Sequence, residues 1–253
     1  MNPDFQWQEL SGFRFLSSES LAERGLRHGF AGRQTLSELE SYSGAGQALA
    51  LDLLCLLDQT HSSICLDLRV KQSLQGFLEV VREGLPYPEP YKSDAVLLDL
   101  DVVQAVGLGM GARIGFGLRT ADCAPIIVSA GREVALIHAG WRGLAGDIIG
   151  VVLKEMQKSD GMDFLAAIGP CAGPDLYEVE ADVLDKVGPL AVYKKSAREG
   201  RWLLSIADTA EAFVRQSLGD VVNVTECTIS NPNFHSFRRD GERSGRNLTF
   251  LIV

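Results

Sequence analysis

The chain has 253 residues, of which 46% are hydrophobic and 23% charged, and its formal net charge at pH 7 is -9. That length suits one large domain or two small ones, and the composition is typical of a globular protein with a buried core. The acidic balance argues against a nucleic-acid-binding surface, which requires clustered Lys and Arg. No apolar run approaches the length of a membrane span, and the N-terminal segment MNPDFQWQEL lacks the regions of a signal peptide. We therefore expect a cytoplasmic protein whose partners include no nucleic acid and no membrane.

The cysteines do not form the pattern of a secreted disulfide framework. Their number is odd, their spacing is irregular, and none of them belongs to the CxxC motif of a zinc knuckle. Reduced thiols of this kind fit a cytosolic protein. They are Cys55, Cys65, Cys123, Cys171 and Cys227.

The first third of the chain contains one polar interruption of interest. Residues 34–48 predict a short helix followed by a Gly-rich turn, and a strand is expected to end at residues 28–30. Residues 49–68 are strongly apolar, and periodicity leaves open whether they form one helix or two strands. Their polar centre, Asp58–Ser63, carries His61. That centre is either a loop at a functional site or a surface turn.

A Gly-rich stretch lies in the middle of the chain. An amphipathic run from residue 69 leads to a proline-rich connector at 85–90, after which an apolar strand begins behind Asp94. The sequence GLGMGARIG at 107–115 looks like a dinucleotide fingerprint, but no strand-turn-helix unit surrounds it. We expect these glycines to let strands pack closely or bulge, and the ARIGFGL tail to be a strand.

Residues 119–143 carry the densest set of reactive side chains. The apolar runs APIIVSA and EVALIHA predict two buried strands joined by a turn at Gly131. Asp122 and Cys123 precede the first run, and His138 lies near the end of the second. An antiparallel pair brings Cys123 and His138 to the same end of a sheet. A thiol and an imidazole there indicate either a metal site or a nucleophile-base pair.

Helices and strands alternate through the rest of the chain. The predicted helices cover residues 144–158, 180–188 and 207–219, and apolar strands separate them and end the chain. Because the strands differ in length and several follow tight turns, we expect a mixed sheet with helices outside rather than a regular doubly wound fold. No clear linker divides the chain, so residues 1–253 are expected to form a single domain.

Five short motifs resemble those of one known family. They are RTADC at 119–123, HAGWRG at 138–143, IGPC at 168–171, YEV at 177–179 and FRRDGERSGR at 237–246. Together they resemble the YfiH-like family, long labelled multicopper polyphenol oxidases (laccases) and now regarded as zinc-dependent purine nucleoside phosphorylases. The similarity extends from about residue 28 to the C-terminus.

The resemblance implies a mixed α+β fold, a CNF1/YfiH-like four-layer α/β/β/α sandwich with two mixed sheets. It places the zinc ligands at His61, Cys123 and His138, with copper as an in vitro substitute. It implies phosphorolysis of adenosine, inosine, guanosine and methylthioadenosine by inorganic phosphate, with adenosine deamination as a parallel activity. Two departures affect the substrate pocket rather than the ligands: Ser62 replaces the family's usual glycine, and the segment between Phe30 and His61 is short.

The residue types fit that chemistry. Two imidazoles and one thiolate leave an open position on a tetrahedral zinc ion, as catalytic sites do. Water activated there would explain deamination. Phosphorolysis needs an anion site, for which the forked guanidinium groups of Arg142, Arg238 and Arg246 are suited. Asp122 is an acid/base residue, a partner of a metal ligand or a turn cap.

Three alternatives stay open. A multicopper oxidase needs on the order of ten histidines, and this chain has 4. A single copper site with two His and one Cys is compatible with the same residues. A metal-free hydrolase could use Cys123 and His138 as nucleophile and base, but it would have no need of His61. A binding module without catalysis is the third alternative.

Overall fold

The structure is a computed structural model that describes residues 1–35, 37–84, 88, 91–156, 163–217 and 220–253. The predicted proline-rich connector therefore lies, apart from Pro88, outside the described residues, as does the predicted helical end at 157–158. The strands are β1 (Phe5–Leu10), β2 (Phe13–Ser18), β3 (Arg27–Ala31), β4 (Leu53–Leu56), β5 (Cys65–Asp67), β6 (Ala95–Asp99), β7 (Ile114–Thr120), β8 (Ala124–Ala130), β9 (Glu133–Ala139), β10 (Phe164–Ile168), β11 (Glu178–Val179), β12 (Tyr193–Lys195), β13 (Trp202–Leu204), β14 (Val221–Asn223) and β15 (Asn247–Ile252).

The helices alternate with these strands, and two short 3-10 turns occupy Ser37–Glu40 and Gly241–Arg243. No helix of the described residues is long and apolar enough to span a bilayer. The helices are α1 (Glu19–Glu23), α2 (Tyr42–Ala48), α3 (Lys71–Glu83), α4 (Leu100–Met110), α5 (Trp141–Ala145), α6 (Ile148–Met156), α7 (Ala181–Val187), α8 (Ile206–Ser217) and α9 (Phe237–Asp240).

Two six-stranded sheets form the body of the molecule, with the orders β1-β2-β3-β15-β7-β4 and β14-β10-β8-β9-β6-β5. Both are mixed, because β4 runs parallel to β7 in the first sheet while β5–β6 and β10–β14 are parallel pairs in the second. The prediction of a mixed α+β fold with two mixed sheets is confirmed. The structure adds a third sheet of three short strands, β11-β13-β12, which the sequence did not predict.

The main core lies between the two large sheets. Successive side chains of a strand point to opposite faces, and one face of β7 and of β9 supplies Phe116, Leu118, Val134 and Leu136 to this core. The other face of β9 packs with α6 and α8 in a second apolar cluster. Helices α3 and α4 also contribute to the core between the sheets, while α2 packs with β15 in a third cluster.

Gly-rich segments are helical where the sequence suggested turns or strands. The predicted turn at 43–46 lies inside α2, and Gly107 and Gly109 lie inside α4. Position 44 of α2 requires glycine, because a Cβ there would lie 2.0 Å from the Glu38 carbonyl oxygen. The expectation that the glycines before Gly111 belong to strands was therefore wrong, whereas the predicted strand from Ile114 is confirmed as β7.

Two further differences concern apolar runs. Residues 49–68 form strands β4 and β5 rather than one helix, with the polar segment as their connection. The helix predicted at 144–158 is divided into α5 and α6, because Asp147 between them has a left-handed backbone with φ of 55°. The predicted hairpin of APIIVSA and EVALIHA is confirmed, with Pro125 opposite His138 and Gly131 in the turn.

The chain crosses twice from the first sheet to the second at one end of the sandwich. Residues 57–64 connect β4 to β5, and residues 121–123 connect β7 to β8. Because β4 and β7 are parallel, both crossings leave the first sheet at the same end. The C-terminal end of β9 lies at that end too, opposite the beginning of β8.

Candidate metal and active site

The two crossings and the end of β9 bring His61, Cys123 and His138 together. One potential ligand atom from each residue lies within 4.8 Å of the others, and the two imidazole rings are 5.0 Å apart. His61 is exposed and His138 is buried, so the group faces outward from the core. These three residues could hold a metal ion, and among the described residues no other group of three His, Cys, Asp or Glu does so.

The buried carboxylate of Asp94 orients His138. Its Oδ1 atom lies 2.8 Å from His138 Nδ1, and the backbone N–H of His138 donates to the Asp94 carbonyl oxygen at 2.7 Å. A carboxylate that accepts from Nδ1 leaves Nε2 unprotonated and free to bind a metal. Asp94 was not predicted to have this role, because its sequence position before an apolar strand does not reveal its distant partners.

The same carboxylate also holds the crossing that carries His61. The backbone N–H groups of Thr60, His61 and Ser62 donate to Asp94 at 3.2, 2.9 and 2.5 Å. His61 has a left-handed backbone, with φ of 60°, which is costly for a residue with a side chain and persists only where the surroundings fix it. One buried Asp therefore positions two of the three potential ligands.

Gln59 fixes the beginning of this crossing against β7. Its side-chain amide donates to the Arg119 carbonyl oxygen and accepts from the Arg119 N–H, both at 2.8 Å. The two hydrogen bonds join the 57–64 crossing to the strand that leads into Cys123. The role of Gln59 is thus to hold the two crossings in register.

Asp122 is buried and its two carboxylate oxygens accept hydrogen bonds from the protein. Oδ1 accepts from the Thr228 hydroxyl, and Oδ2 accepts from the backbone N–H of Arg238, both at 2.7 Å. Its backbone is left-handed, with φ of 90°. This side chain connects the β7–β8 crossing to α9, which is a structural arrangement rather than that of a free acid or base.

Gly140 leaves room for the thiol. A Cβ at this position would lie 2.6 Å from Cys123 Sγ and 3.6 Å from His61 Cδ2. Its φ of -83° is open to any residue, so the requirement for glycine here is steric. The Gly in HAGWRG therefore belongs to the wall of the site.

The ionisation of Cys123 favours metal binding, whereas a metal would have to displace a proton from His138. Burial alone would raise the pKa of Cys123, but the charge of His138 and hydrogen bonds from His138 and His61 lower it. Burial would lower the pKa of His138, but the Cys123 thiolate and Asp94 raise it. For Asp94, burial raises the pKa, yet hydrogen bonds from His138 and Ser62 outweigh it and lower the pKa to about 2. With the His138 proton displaced, the three residues would offer a thiolate and two imidazoles, a set that suits zinc or copper.

The other cysteines lie in less reactive surroundings. Burial raises the pKa of Cys55 and of Cys171, and it raises the pKa of Cys65 to about 12. The backbones at Cys171 and Cys227 form an isolated parallel β-bridge, and both thiols are free. These thiols are packing residues, as expected for Cys55 and Cys65.

A pocket of about 600 Å³ opens over the three residues, a volume typical of small-molecule sites. Its polar walls contain four arginines, and no ion pair of the described residues joins any of them to a carboxylate. Arg142, Arg238 and Arg246 were predicted from the sequence, whereas Arg119 was not. Three of these guanidinium groups donate to backbone carbonyl oxygens: Arg119 to Leu57 (3.1 Å), Arg238 to Glu178 (2.5 Å) and Arg246 to Ser244 (2.8 Å).

Aromatic rings form the apolar part of the walls. The guanidinium carbon of Arg142 lies 4.4 Å from the centre of the Trp141 ring, and that of Arg238 lies 4.2 Å from the Tyr177 ring. Both rings therefore have one face covered by a cation of the protein itself. Phe237 completes the aromatic lining.

Comparison with known proteins identifies relatives of this chain. A family profile described as multi-copper polyphenol oxidoreductase laccase matches residues 43–253. The chain belongs to this family. The chain is also similar to a purine nucleoside phosphorylase of Xylella fastidiosa, which is 35% identical over 197 residues, covering 74% of this chain and 67% of that protein.

Two further similarities support the expected YfiH relationship. Purine nucleoside phosphorylase YfiH of Shigella flexneri is 34% identical over 142 residues, which are 52% of this chain and 56% of that protein. The crystal structure of YlmD from Geobacillus stearothermophilus superposes with a TM-score of 0.74 at 22% identity, covering 98% of both chains. The predicted family and fold are therefore confirmed.

The family name does not fit the histidine content of this chain. Two of its four histidines lie outside the site: Ser18 N–H donates to His28 Nε2, and His235 Nε2 pairs with Glu40. A multicopper centre, with on the order of ten histidine ligands, cannot be assembled from the remaining pair.

Proposed function

We propose that this protein is a metal-dependent purine nucleoside phosphorylase, formed by a single domain over residues 1–253, in which His61, Cys123 and His138 hold zinc. The observation that carries the proposal is the convergence of these three donors in a pocket whose arginine side chains form no ion pair with a carboxylate of the described residues. The names of the relatives support purine nucleosides and phosphate as substrates. Adenosine, inosine, guanosine and methylthioadenosine are the nucleosides to test.

The donors and the residue that orients them have defined tasks in this proposal. Asp94 fixes His138 in the tautomer that presents Nε2 to the metal, and it holds the backbone of His61 at the same time. His138 stabilises the thiolate of Cys123. Bound zinc would supply Lewis acidity to a substrate oxygen or to water. The remaining work of binding and orientation falls to the pocket.

Phosphorolysis needs phosphate beside the ribose, and the arginines supply the attraction. The Arg142 guanidinium is exposed and follows His138 by four residues, so it is the first choice for the attacking phosphate. Arg238 on α9 and Arg246 after it line the same pocket. Guanidinium groups bind phosphate oxygens in a bidentate manner. The one carboxylate among the described lining residues, that of Asp122, accepts from the Thr228 hydroxyl and the Arg238 backbone N–H rather than from a guanidinium.

The central experiment combines metal analysis with product analysis. Purified protein should contain about one zinc per chain, in keeping with three donors and one open position. With phosphate, inosine or adenosine should give free base and ribose 1-phosphate, and Cys123→Ala or His138→Ala should lose both metal and turnover. Retained phosphorolysis in a folded, metal-free variant would refute the assignment.

A second reaction, adenosine deamination, is supported by the donor set. Nucleobase deaminases use zinc held by His and Cys ligands to activate water. Asp122, whose carboxylate is engaged with Thr228 and Arg238, is poorly placed to move protons in such a reaction. Ammonia release from adenosine without phosphate is the measurement, and its dependence on Cys123 would assign it to the same site.

The metal analysis also separates the alternatives. Stoichiometric copper would favour a single-copper oxidoreductase over phosphorolysis. Activity that survives metal removal but is lost when Cys123 is alkylated would favour the metal-free hydrolase. The position of His61 beside the other two donors argues for the metal, because a Cys-His dyad needs no third residue.

A further inference from the structure

Phe237 is an exposed aromatic side chain in the lining of the pocket. Its side chain is 45% exposed, although burial of a large apolar group is favourable. The nearest guanidinium recorded over its ring, that of Arg246, is 5.9 Å from the ring centre. The faces of Trp141 and Tyr177 are covered at 4.4 and 4.2 Å. Phe237 therefore offers the most open aromatic surface of the site.

The ring is exposed, but the backbone beneath it is fixed. Phe237 begins α9, whose N-cap is the fully buried Ser236, with its hydroxyl accepting from the Arg239 N–H at 3.2 Å. The next residue, Arg238, donates its backbone N–H to Asp122 at 2.7 Å. A ring on such a base is positioned in advance, so little conformational entropy is lost when a ligand stacks on it.

The position of the ring relative to the charges is informative. Asp122 is adjacent to Cys123, and it ties the start of α9 directly to the ligand-bearing crossing. Phe237 therefore lines the same pocket as the metal donors, next to Arg238 in the chain and with the Arg246 guanidinium carbon 5.9 Å from its ring centre. A flat, uncharged π system could lie on this ring while an anion is held by the arginines.

We propose that Phe237 is the platform on which the purine base stacks, and that Asp122 positions it. This inference rests on the proposed function and names the part of the pocket that takes the base. Stacking of a base on an aromatic side chain is worth about 1–3 kcal/mol and tolerates different purines. Phe237 then sets affinity for purine bases without choosing among them.

The test measures binding without turnover. Calorimetry with free adenine, and separately with inorganic phosphate, is performed on the metal-loaded wild-type protein and on Phe237→Ala, Phe237→Leu and Phe237→Trp. We expect Phe237→Ala to weaken adenine binding by about tenfold or more, Phe237→Leu to weaken it less, and Phe237→Trp to retain it within about twofold. Phosphate binding should be unchanged in all three.

Tyr193→Ala is the matched control. Tyr193 is an aromatic residue with 49% exposure on β12, outside the pocket, so its truncation removes similar surface without touching the site. Its adenine and phosphate affinities should equal those of the wild type. Wild-type adenine affinity in Phe237→Ala, equal loss of adenine and phosphate binding, or no adenine binding by the wild type would overturn the inference.

The outcome also separates this inference from the proposed function. Phe237-dependent adenine binding in a protein that performs no phosphorolysis would leave the platform intact and reject the phosphorylase. Phosphorolysis whose KM for nucleoside is the same in Phe237→Ala and wild type would leave the phosphorylase intact and reject the platform.

Discussion

At the scale of single residues, Asp94 is the side chain on which the metal donors depend. It binds both His138 and the backbone around His61. Nothing in the sequence marks it apart from its place before a strand, because its partners lie more than thirty residues away on either side. By contrast, the three donors and three of the four pocket arginines were predicted, since their types and motifs carry the chemistry themselves.

We expect Asp94→Asn to weaken metal affinity by about 10- to 100-fold, as loss of a partner of a metal-binding His does. The amide would also present N–H groups to the backbone donors of the 60–62 segment. Competition with a chromophoric chelator measures the affinity, and thermal unfolding of the metal-free protein checks the fold.

Asp99→Asn is the control for that change. Asp99 is also buried, but it caps α4 by accepting from the Asp101 N–H at 3.0 Å and pairs with Arg132, at the far end of β6. Because Asn caps a helix about as well as Asp, Asp99→Asn should change stability little and leave metal affinity as it is. Equal metal affinities in both variants would remove Asp94 from the site.

His28 gives a residue-scale prediction about pH. Burial lowers its pKa, outweighing the hydrogen bond to Leu26 and the charge of Asp4, and its Nε2 accepts from Ser18 N–H. As pH falls, the His28 imidazole is therefore protonated in the unfolded chain at a higher pH than in the folded protein. The free energy of unfolding consequently decreases as pH falls below about 6.5. The loss is at most about 1.4 kcal/mol per pH unit.

His28→Gln should remove that part of the pH dependence. The free energies of unfolding of both proteins are measured by urea unfolding over about two pH units, from about pH 7 to about pH 5. The difference in unfolding free energy between the wild type and His28→Gln should shrink or reverse toward low pH. A difference that stays constant would show that His28 takes no part in the acid sensitivity.

At the scale of elements, the link between α9 and the β7–β8 crossing is the feature to test. Asp122 accepts the backbone N–H of Arg238, so Asp122→Ala should free the start of α9. We expect faster amide hydrogen exchange at Arg238 and a higher KM for nucleoside, with metal content unchanged. Loss of metal in a folded Asp122→Ala protein would assign this residue to the metal site instead.

A control for that experiment removes the other hydrogen bond of the carboxylate. Thr228→Val deletes the hydroxyl that donates to Asp122 Oδ1 but leaves the Arg238 contact in place. Exchange at Arg238 should then stay slow. Fast exchange in both variants would mean that the carboxylate is held by Thr228 and not by α9.

The elements were predicted unevenly, for physical reasons. The β8–β9 hairpin was predicted because two apolar runs of strand length flank a turn glycine. Helices α2 and α4 were missed because their glycines lower helix propensity, whereas capping by Ser41 and Asp99 and close packing compensate in the fold. Short strands such as β11 and β12 have too few residues to show any period.

At the scale of the whole molecule, the two sheets share one core, and Phe116 lies at its centre. Its side chain is fully buried, and its ring stacks against Phe77 of α3 at 6.4 Å. Phe116→Ala should cost about 3–5 kcal/mol of unfolding free energy. Urea unfolding measures the loss, and an effect below about 1 kcal/mol would contradict the central position of this ring.

The architecture as a whole followed from family motifs more than from periodicity. Alternating elements predicted a mixed sheet with helices outside, but no pattern in the sequence says that β4 and β7 are neighbours. That pairing decides that both crossings leave the first sheet at one end, and hence that His61 meets Cys123. Long-range pairings of this kind depend on the packing of the complete chain.

The tight turn at Gly131 offers a practical opportunity. It closes β8 and β9 at the end of the hairpin opposite His138, and seven-residue strands separate the two by roughly 20 Å. Gly131 and Arg132 are exposed. A fluorophore or a short affinity peptide grafted at this tip would report on the protein, or immobilise it on a sensor, while leaving the mouth of the pocket open to solution.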